Sequence, residues 1–211
     1  MNKWIWLFAN LFIKARSLKP SVSSAMKEPD PEEMKTGING IKLIDHFEGC
    51  YLDSYLCPAK VPTIGIGTTR YESGAEVKLG EHITIERAYE LLEFDLTRFE
   101  FYIKKNIHFP LLQHQFDALI SLVYNIGIGN FLKSSVLRLV LRDPFDKHIP
   151  KKFMMWKFGG DGSKNGIDDD DDGIIDEVGE KQRLAGLIRR RKAEAHLYVT
   201  GELKFFEDEQ I

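Results

Sequence analysis

Within His46–Thr69, "HFEGCYLDSYLCPAKVPTIGIGTT", an acid, two thiols and a hydroxyl fall at short intervals among three glycines. Cys57 follows Glu48 by nine residues, and Thr63 follows Cys57 by six. An acid and a hydroxyl brought to one cleft suit the hydrolysis of a glycosidic bond. The acid protonates the leaving oxygen, and the hydroxyl holds the water that attacks. For Glu48 to carry a proton near neutral pH, its surroundings must favour the neutral form, for example through partial burial. Taken singly, a Glu at a helix end is an ordinary solvated charge and a strand Thr an ordinary β-former. The combination with "TIGIG" is what marks a site.

The neighbouring sequence supplies elements that would hold these groups. Ile41, Ile44 and Phe47 recur at threes, which predicts a short amphipathic helix from Ile38, stopped by Gly49, with Glu48 in its last turn. The stretch from Tyr51 to Tyr71 is rich in β-branched, aromatic, Gly and Pro residues and reads as a hairpin or three short strands. Alternation along "TIGIG" would turn Ile64 and Ile66 to a core and leave Thr63, Gly65 and Gly67 on one bare face. Such a face lets a bulky ligand approach the backbone, which makes Gly65 and Gly67 candidate substrate contacts. Thr84 is placed to cap a long helix to about Lys104, with Ala88, Leu92, Leu96, Phe99 and Ile103 along one side. "LLQHQFDALISLVYN" predicts a buried helix stopped by "IGIGN". Further helices fit Ser134–Arg142, the region of Pro150–Trp156, and Leu184–Tyr198 closed by Gly201. One helix, a small sheet and a helical lobe make an α+β class.

Composition narrows the setting. A chain of 211 residues with 43% hydrophobic and 29% charged residues has room for one sizeable domain with appendages. A formal net charge of -3 gives no reason to expect a nucleic-acid partner. Two cysteines cannot make a disulfide framework. Residues 1–36 stand apart: "WIWLFANLFI" at 4–13 is apolar but about half of what spans a bilayer, and a polar, proline-bearing linker lies beyond it. The run has the length of a signal-peptide core, yet Lys14, Arg16 and Lys19 after it oppose export of the rest of the chain. A helix lying in the membrane interface, anchored by Trp4 and Trp6, is the third reading. The folded domain is expected over 37–205, with an acidic insertion at about 160–183 and a tail at 206–211.

Glu48, Cys57, Thr63 and "TIGIG" together resemble the active-site segment of phage-type lysozymes, the family of T4-like and lambdoid endolysins. "QFDALISLVYNIG" resembles the central buried helix of that family, and "LAGLIRRRKAEAHLY" its C-terminal segment, in the family's order. The resemblance covers Ile38 to Gly201 apart from the insertion. It implies a two-lobed fold, a small β-sheet lobe and a larger helical one with the active-site cleft between, acting as a monomer on peptidoglycan. It implies cleavage of the β-1,4 bond between N-acetylmuramic acid and N-acetylglucosamine with inversion, without a required cofactor, by a phage or prophage product made in the bacterial cytoplasm and acting at the cell wall or periplasm. Carried over by position, Glu48 is the general acid and Thr63 holds the water. Asn125 meets substrate sugars, and Arg190 or Arg191 reaches the catalytic glutamate.

Cys57 departs from the pattern, since many members carry Asp there. Some endolysins exported by signal-arrest-release segments carry Cys. A thiolate can serve as base or electrostatic partner, though an unperturbed thiol with a pKa of about 8.5 is mostly protonated at neutral pH. The same group implies a regulatory Cys50–Cys57 disulfide, against two independent thiols in a reducing cytosol. A cysteine-nucleophile pair of Cys57 with His46 has no supporting motif, and zinc at Cys50, Cys57 and His46 lacks the usual spacing. A protein of the same fold that binds wall or calcium without catalysis is the reading from another class, because the middle catalytic position is altered.

Two charged segments remain. In "RLAGLIRRRKAEAHLY" the plain expectation is a helix with its cations on one side and Leu184, Leu187 and Leu197 packed on the other. In the insertion, Asp168, Asp170, Asp172, Gly173 and Asp176 match positions one, three, five, six and nine of a calcium loop, with Gly179 where the twelfth-position Glu belongs. A solvated acidic loop is the alternative, although neighbouring carboxylates repel one another without a cation. Isothermal titration with millimolar calcium separates the two: the ion loop gives a binding heat, and the solvated loop gives none.

Overall fold

The computed structural model describes residues 33–57, 59–159 and 182–207. The apolar run at 4–13 and the calcium candidates Asp168, Asp170, Asp172 and Asp176 lie outside the described residues. No described helix is long and apolar enough to cross a membrane. The chain divides into two compact units, one ending at Pro110 and the other beginning at Leu111.

In the first unit, helix α1 (Ile38–Glu48) buries Ile41, Leu43 and Ile44. Gly49 ends it, at φ 75°, with its N–H on the Asp45 carbonyl at 2.9 Å. That left-handed conformation suits glycine and turns the chain straight into strand β1 (Tyr51–Leu56). β1 pairs antiparallel with β2 (Pro62–Gly65), Tyr55 opposite Thr63 and Leu56 opposite Pro62, with an irregularity before Tyr51 meets Gly65. Helix α2 (Ile85–Asn106) is capped by Thr84, whose hydroxyl accepts the Arg87 N–H at 3.2 Å. Its expected stripe of Ala88, Leu92, Leu96, Phe99 and Ile103 is buried.

Beside that stripe sits an acid, Glu100, only 7% exposed. Its carboxylate accepts both the N–H and the hydroxyl of Thr36 at 2.7 Å. Lys104 donates to the carbonyl of the buried Met34 at 3.3 Å. The stretch ahead of α1 is therefore packed on α2 from Met34 onward.

The alternation expected for "TIGIG" does not hold. Gly65 adopts φ 65°, and Ile64 and Thr68 exchange main-chain hydrogen bonds at 2.9 and 3.0 Å, so the strand gives way to a tight turn. Ile64 and Ile66 are buried as expected, but so are Thr63 and Gly65. A Cβ on Gly65 would meet the Cβ of Ala88 at 3.4 Å and Cδ1 of Ile83 at 3.5 Å. Gly65 is where α2 packs against the hairpin, and no open face of glycines forms; Gly67 alone is exposed.

In the second unit, α3 (Gln113–Ile126) is the central helix, with every residue from Gln115 to Val123 buried. The Gln115 side-chain oxygen accepts the Leu112 N–H at 3.0 Å at its start. After Gly127 a short helix α4 (Ile128–Lys133) begins at once, unforeseen in the glycine-rich run. Helix α5 (Ser135–Arg142) is capped by Ser134, whose hydroxyl accepts the Leu137 N–H at 3.0 Å. α6 (Ile149–Phe153) runs into a 3-10 turn over Met154–Trp156. Strands β3 (Phe158–Gly159) and β4 (Gln182–Arg183) pair antiparallel, so the insertion leaves and returns at one place. α7 (Ala185–Thr200) packs on α3 and is closed by Gly201.

α7 corrects the expected distribution of charge. Arg190 and Arg191 are buried at 3% and 0% exposure, whereas Leu184 is exposed. The reason is Glu194, itself fully buried. Its carboxylate accepts from Arg190 at 3.2 Å, Arg191 at 2.8 Å and the Ser121 hydroxyl of α3 at 2.7 Å. Paired charges with a shared acceptor can be buried where single ones cannot.

Gly65→Ala is expected to destabilise the protein by more than about 1 kcal/mol, because a side chain is forced both into a left-handed conformation and against Ala88. A thermal melt unchanged from the wild type would contradict the packing role.

Candidate active site

The α1–β1–β2 segment assembles the site residues of the first unit. Glu48 closes α1 half-buried, and the reversal at Gly49 sets β1 next to it. Directly opposed residues of an antiparallel pair project to the same face, so Tyr55 and Thr63 lie side by side. Beyond β1 the chain turns tightly: the Cys57 N–H donates to the Val61 carbonyl at 3.0 Å, and the Lys60 N–H to the Cys57 carbonyl at 2.7 Å. The Thr63 hydroxyl donates to that same Val61 carbonyl at 3.0 Å.

This turn changes the chemistry of Cys57. Hydrogen bonding from the main chain at Val61, joined by that at Ala59, pulls the thiol below its ordinary range against the effect of burial. The thiolate is thus favoured more than the free amino acid suggests. Tyr55 reports on the neighbourhood: burial raises its phenol, and the charges of Tyr51, Cys57 and Glu48 raise it further. Glu48 and Cys57 both act on the ring that stands beside Thr63.

Cys50 faces other partners. Burial and then the Asp45 carboxylate push its thiol up to about 11. Asp45 is in turn hydrogen-bonded to Tyr89 of α2. Both cysteines are free thiols, so the Cys50–Cys57 bridge is not formed in this structure. His46 is exposed, its ring edge-on to Phe47 at 4.8 Å. Among the described residues no three His, Cys, Asp or Glu side chains group as metal ligands.

In the second unit Asn125 is exposed at the end of α3 and lines a groove of about 750 Å³ together with Asn130, Met155, Trp156 and Phe158. Arg190 is buried, with Nε on Glu194 and Nη2 on the Ser121 carbonyl at 3.2 Å. Three contributors escaped the reading of the sequence. Tyr55 stands two residues before Cys57, the spacing that shares a strand face. Glu194 follows Arg191 by three and Arg190 by four, the spacing of helical ion pairs. The Asp45–Tyr89 contact joins two helices and left no local signal.

A half-buried glutamate ending a short helix, a hairpin with a buried threonine and an activated thiol, and a separate unit around one buried helix define a lysozyme-like α+β protein. The phage lysozyme family model matches residues 45–194, and the chain belongs to that family. It is 38% identical over 127 residues to the endolysin of Salmonella phage P22, covering 60% of this chain and 86% of that one. To the endolysin of Acyrthosiphon pisum secondary endosymbiont phage 1 it is 32% identical over 159 residues, 75% of this chain and 94% of the other. The solved endolysin from Escherichia coli O157:H7 phage FAHEc1 superposes with a TM-score of 0.68 at 30% identity, over 82% of this chain and 98% of its own. The protein is a lysozyme-type glycoside hydrolase, a muramidase that cleaves peptidoglycan.

The thiol environments make a direct prediction. Brief iodoacetamide treatment at pH 7.5, read by peptide mass spectrometry, is expected to alkylate Cys57 and leave Cys50, which labels only as the pH nears about 11. Equal labelling of both at pH 7.5 would contradict these environments.

Proposed function

We propose that the chain hydrolyses the β-1,4 bond between N-acetylmuramic acid and N-acetylglucosamine with Glu48 as proton donor, Thr63 as water holder and Cys57 as the partner of that water. The observation that supports this reading is Tyr55, which stands opposite Thr63 and feels both Glu48 and Cys57. Glu48 gives its proton to the glycosidic oxygen as the bond to the anomeric carbon breaks. The Thr63 proton already lies on the Val61 carbonyl, so its oxygen acts as an acceptor. A water held there donates one O–H to Thr63 and keeps a lone pair for attack on the anomeric carbon. The proton that water releases passes to the Cys57 thiolate, at the position where the family resemblance implies a carboxylate. Solvent then returns a proton to Glu48 and removes one from Cys57.

The enzyme works as a monomer without a required cofactor, calcium in the acidic insertion being structural. It is made in the bacterial cytoplasm from a phage or prophage and acts at the cell wall, with residues 4–13 contacting the membrane. Asn125 contributes a sugar contact in the groove of the second unit.

Glu48→Gln is expected to slow the clearing of a peptidoglycan suspension by roughly a hundredfold or more. Clearing equal to the wild type would break the mechanism, and a wild type without clearing would favour a silent wall-binding protein. Cys57→Asp retains activity in this scheme. Under a cysteine-nucleophile mechanism it would abolish activity as Cys57→Ser does.

A further inference from the structure

Helix α2 buries one side in the first unit, and the second half of its outer side mixes rings with cations. From Phe94 on, its exposed positions are Phe94, Thr97, Arg98, Phe101 and Lys105. Phe94, Arg98, Phe101 and Lys105 follow one another at steps of four, three and four, so they form a single line along the helix. Both phenylalanines are large apolar side chains left in solvent, Phe94 at 43% and Phe101 at 56% exposure. The Lys105 ammonium lies 5.7 Å from the centre of the Phe101 ring. No acid interrupts the line. Asp95 accepts the Thr68 hydroxyl at 2.8 Å, and Glu100 is buried against Thr36. Acids gather only at the other end, where Glu90 and Glu93 line a groove of about 590 Å³ that shares Phe94 and Thr97 with the stripe.

We propose that this stripe docks on the surface of an anionic phospholipid bilayer, with Phe94 and Phe101 entering the headgroup layer and Arg98 and Lys105 pairing with lipid phosphates. Docking here extends the membrane contact proposed for residues 4–13 to the folded domain, and it rests in part on that reading. Charge and apolarity together set the partner. Cations beside exposed rings suit a surface that is negative on top and apolar just beneath. The stems of Arg98 and Lys105 can lie along the apolar layer while their heads stay among the phosphates. The start of the packed chain sets the place. Met34 is buried, and its carbonyl accepts from Lys104, the neighbour of Lys105, at 3.3 Å. The run at 4–13 therefore joins the folded domain on this helix, about twenty residues ahead of Met34. Two weak contacts on one chain reinforce each other, because the first holds the second at high local concentration. A stripe of two rings binds only reversibly by itself, so a lasting hold takes both.

The test is co-sedimentation of the full chain with vesicles of phosphatidylcholine alone or mixed with phosphatidylglycerol. The wild-type partition coefficient is expected about tenfold higher on the mixed vesicles, a preference that falls with added salt. In Arg98→Gln/Lys105→Gln the preference shrinks to about threefold or less, while binding to the neutral vesicles holds. Phe94→Ser/Phe101→Ser binds both kinds more weakly, by about tenfold. Arg98→Lys/Lys105→Arg, which keeps the charge, retains the wild-type preference. Lys147→Gln/Lys151→Gln removes the same charge from exposed positions of the second unit and also retains it. An equal drop in that control would reduce the effect to net charge and overturn the proposal. An unchanged preference in Arg98→Gln/Lys105→Gln, or unchanged binding in Phe94→Ser/Phe101→Ser, overturns it too and leaves residues 4–13 as the membrane contact. Coverage of the stripe by that run would give the same result. A wild type that stays off both kinds of vesicle refutes membrane contact altogether, a failure distinct from that of the stripe.

Discussion

The candidate site of the first unit depends on one main-chain hydrogen bond, from the Cys57 N–H to the Val61 carbonyl. It closes the turn between the strands, fixes Tyr55 opposite Thr63, and leaves the N–H groups of the turn facing the thiol. The same carbonyl takes the Thr63 proton, so one oxygen sets both the position of the hydroxyl and its role as acceptor. Oriented main-chain N–H groups stabilise an anion without a full positive charge nearby. In the mechanism proposed for Cys57, a thiol stands in for a carboxylate because its surroundings supply part of the ionisation that its chemistry lacks.

The two thiols show how strongly environment outweighs residue type. They are seven residues apart in the chain, yet one is pulled down by main-chain donors and the other is pushed up to about 11 by burial and Asp45. Gly49 separates them: its left-handed turn leaves Cys50 at the foot of the helices and carries Cys57 along the strand to the turn. The second unit solves a different electrostatic problem. Glu194 gathers two arginines and a serine around one carboxylate, which joins α7 to the central helix with charges in place of a purely apolar seam.

Much of the fold was legible because it rests on local rules. The 3.6-residue stripe of α2, the Thr84 and Ser134 caps and the stops at Gly49 and Gly201 are encoded within a few residues of where they act. Misreadings came where a contact distant in sequence took precedence. Gly65 breaks the alternation of "TIGIG" because Ala88, more than twenty residues on, needs room against it. The arginines of α7 go inward because Ser121 and Glu194 receive them there. Glu100 enters an apolar stripe because Thr36 reaches it with two donors.

By itself the sequence determined the residue types of the candidate site, their order and the elements that bear them, since spacing, caps and hydrophobic period act over one or two turns of chain. It determined the family through the same local motifs. Only tertiary structure decided which glycine meets a helix and which meets solvent, which arginines are buried, and which of two cysteines favours its thiolate. Those outcomes depend on burial and on hydrogen-bond donors brought from elsewhere in the fold, and such fields are properties of the packed structure.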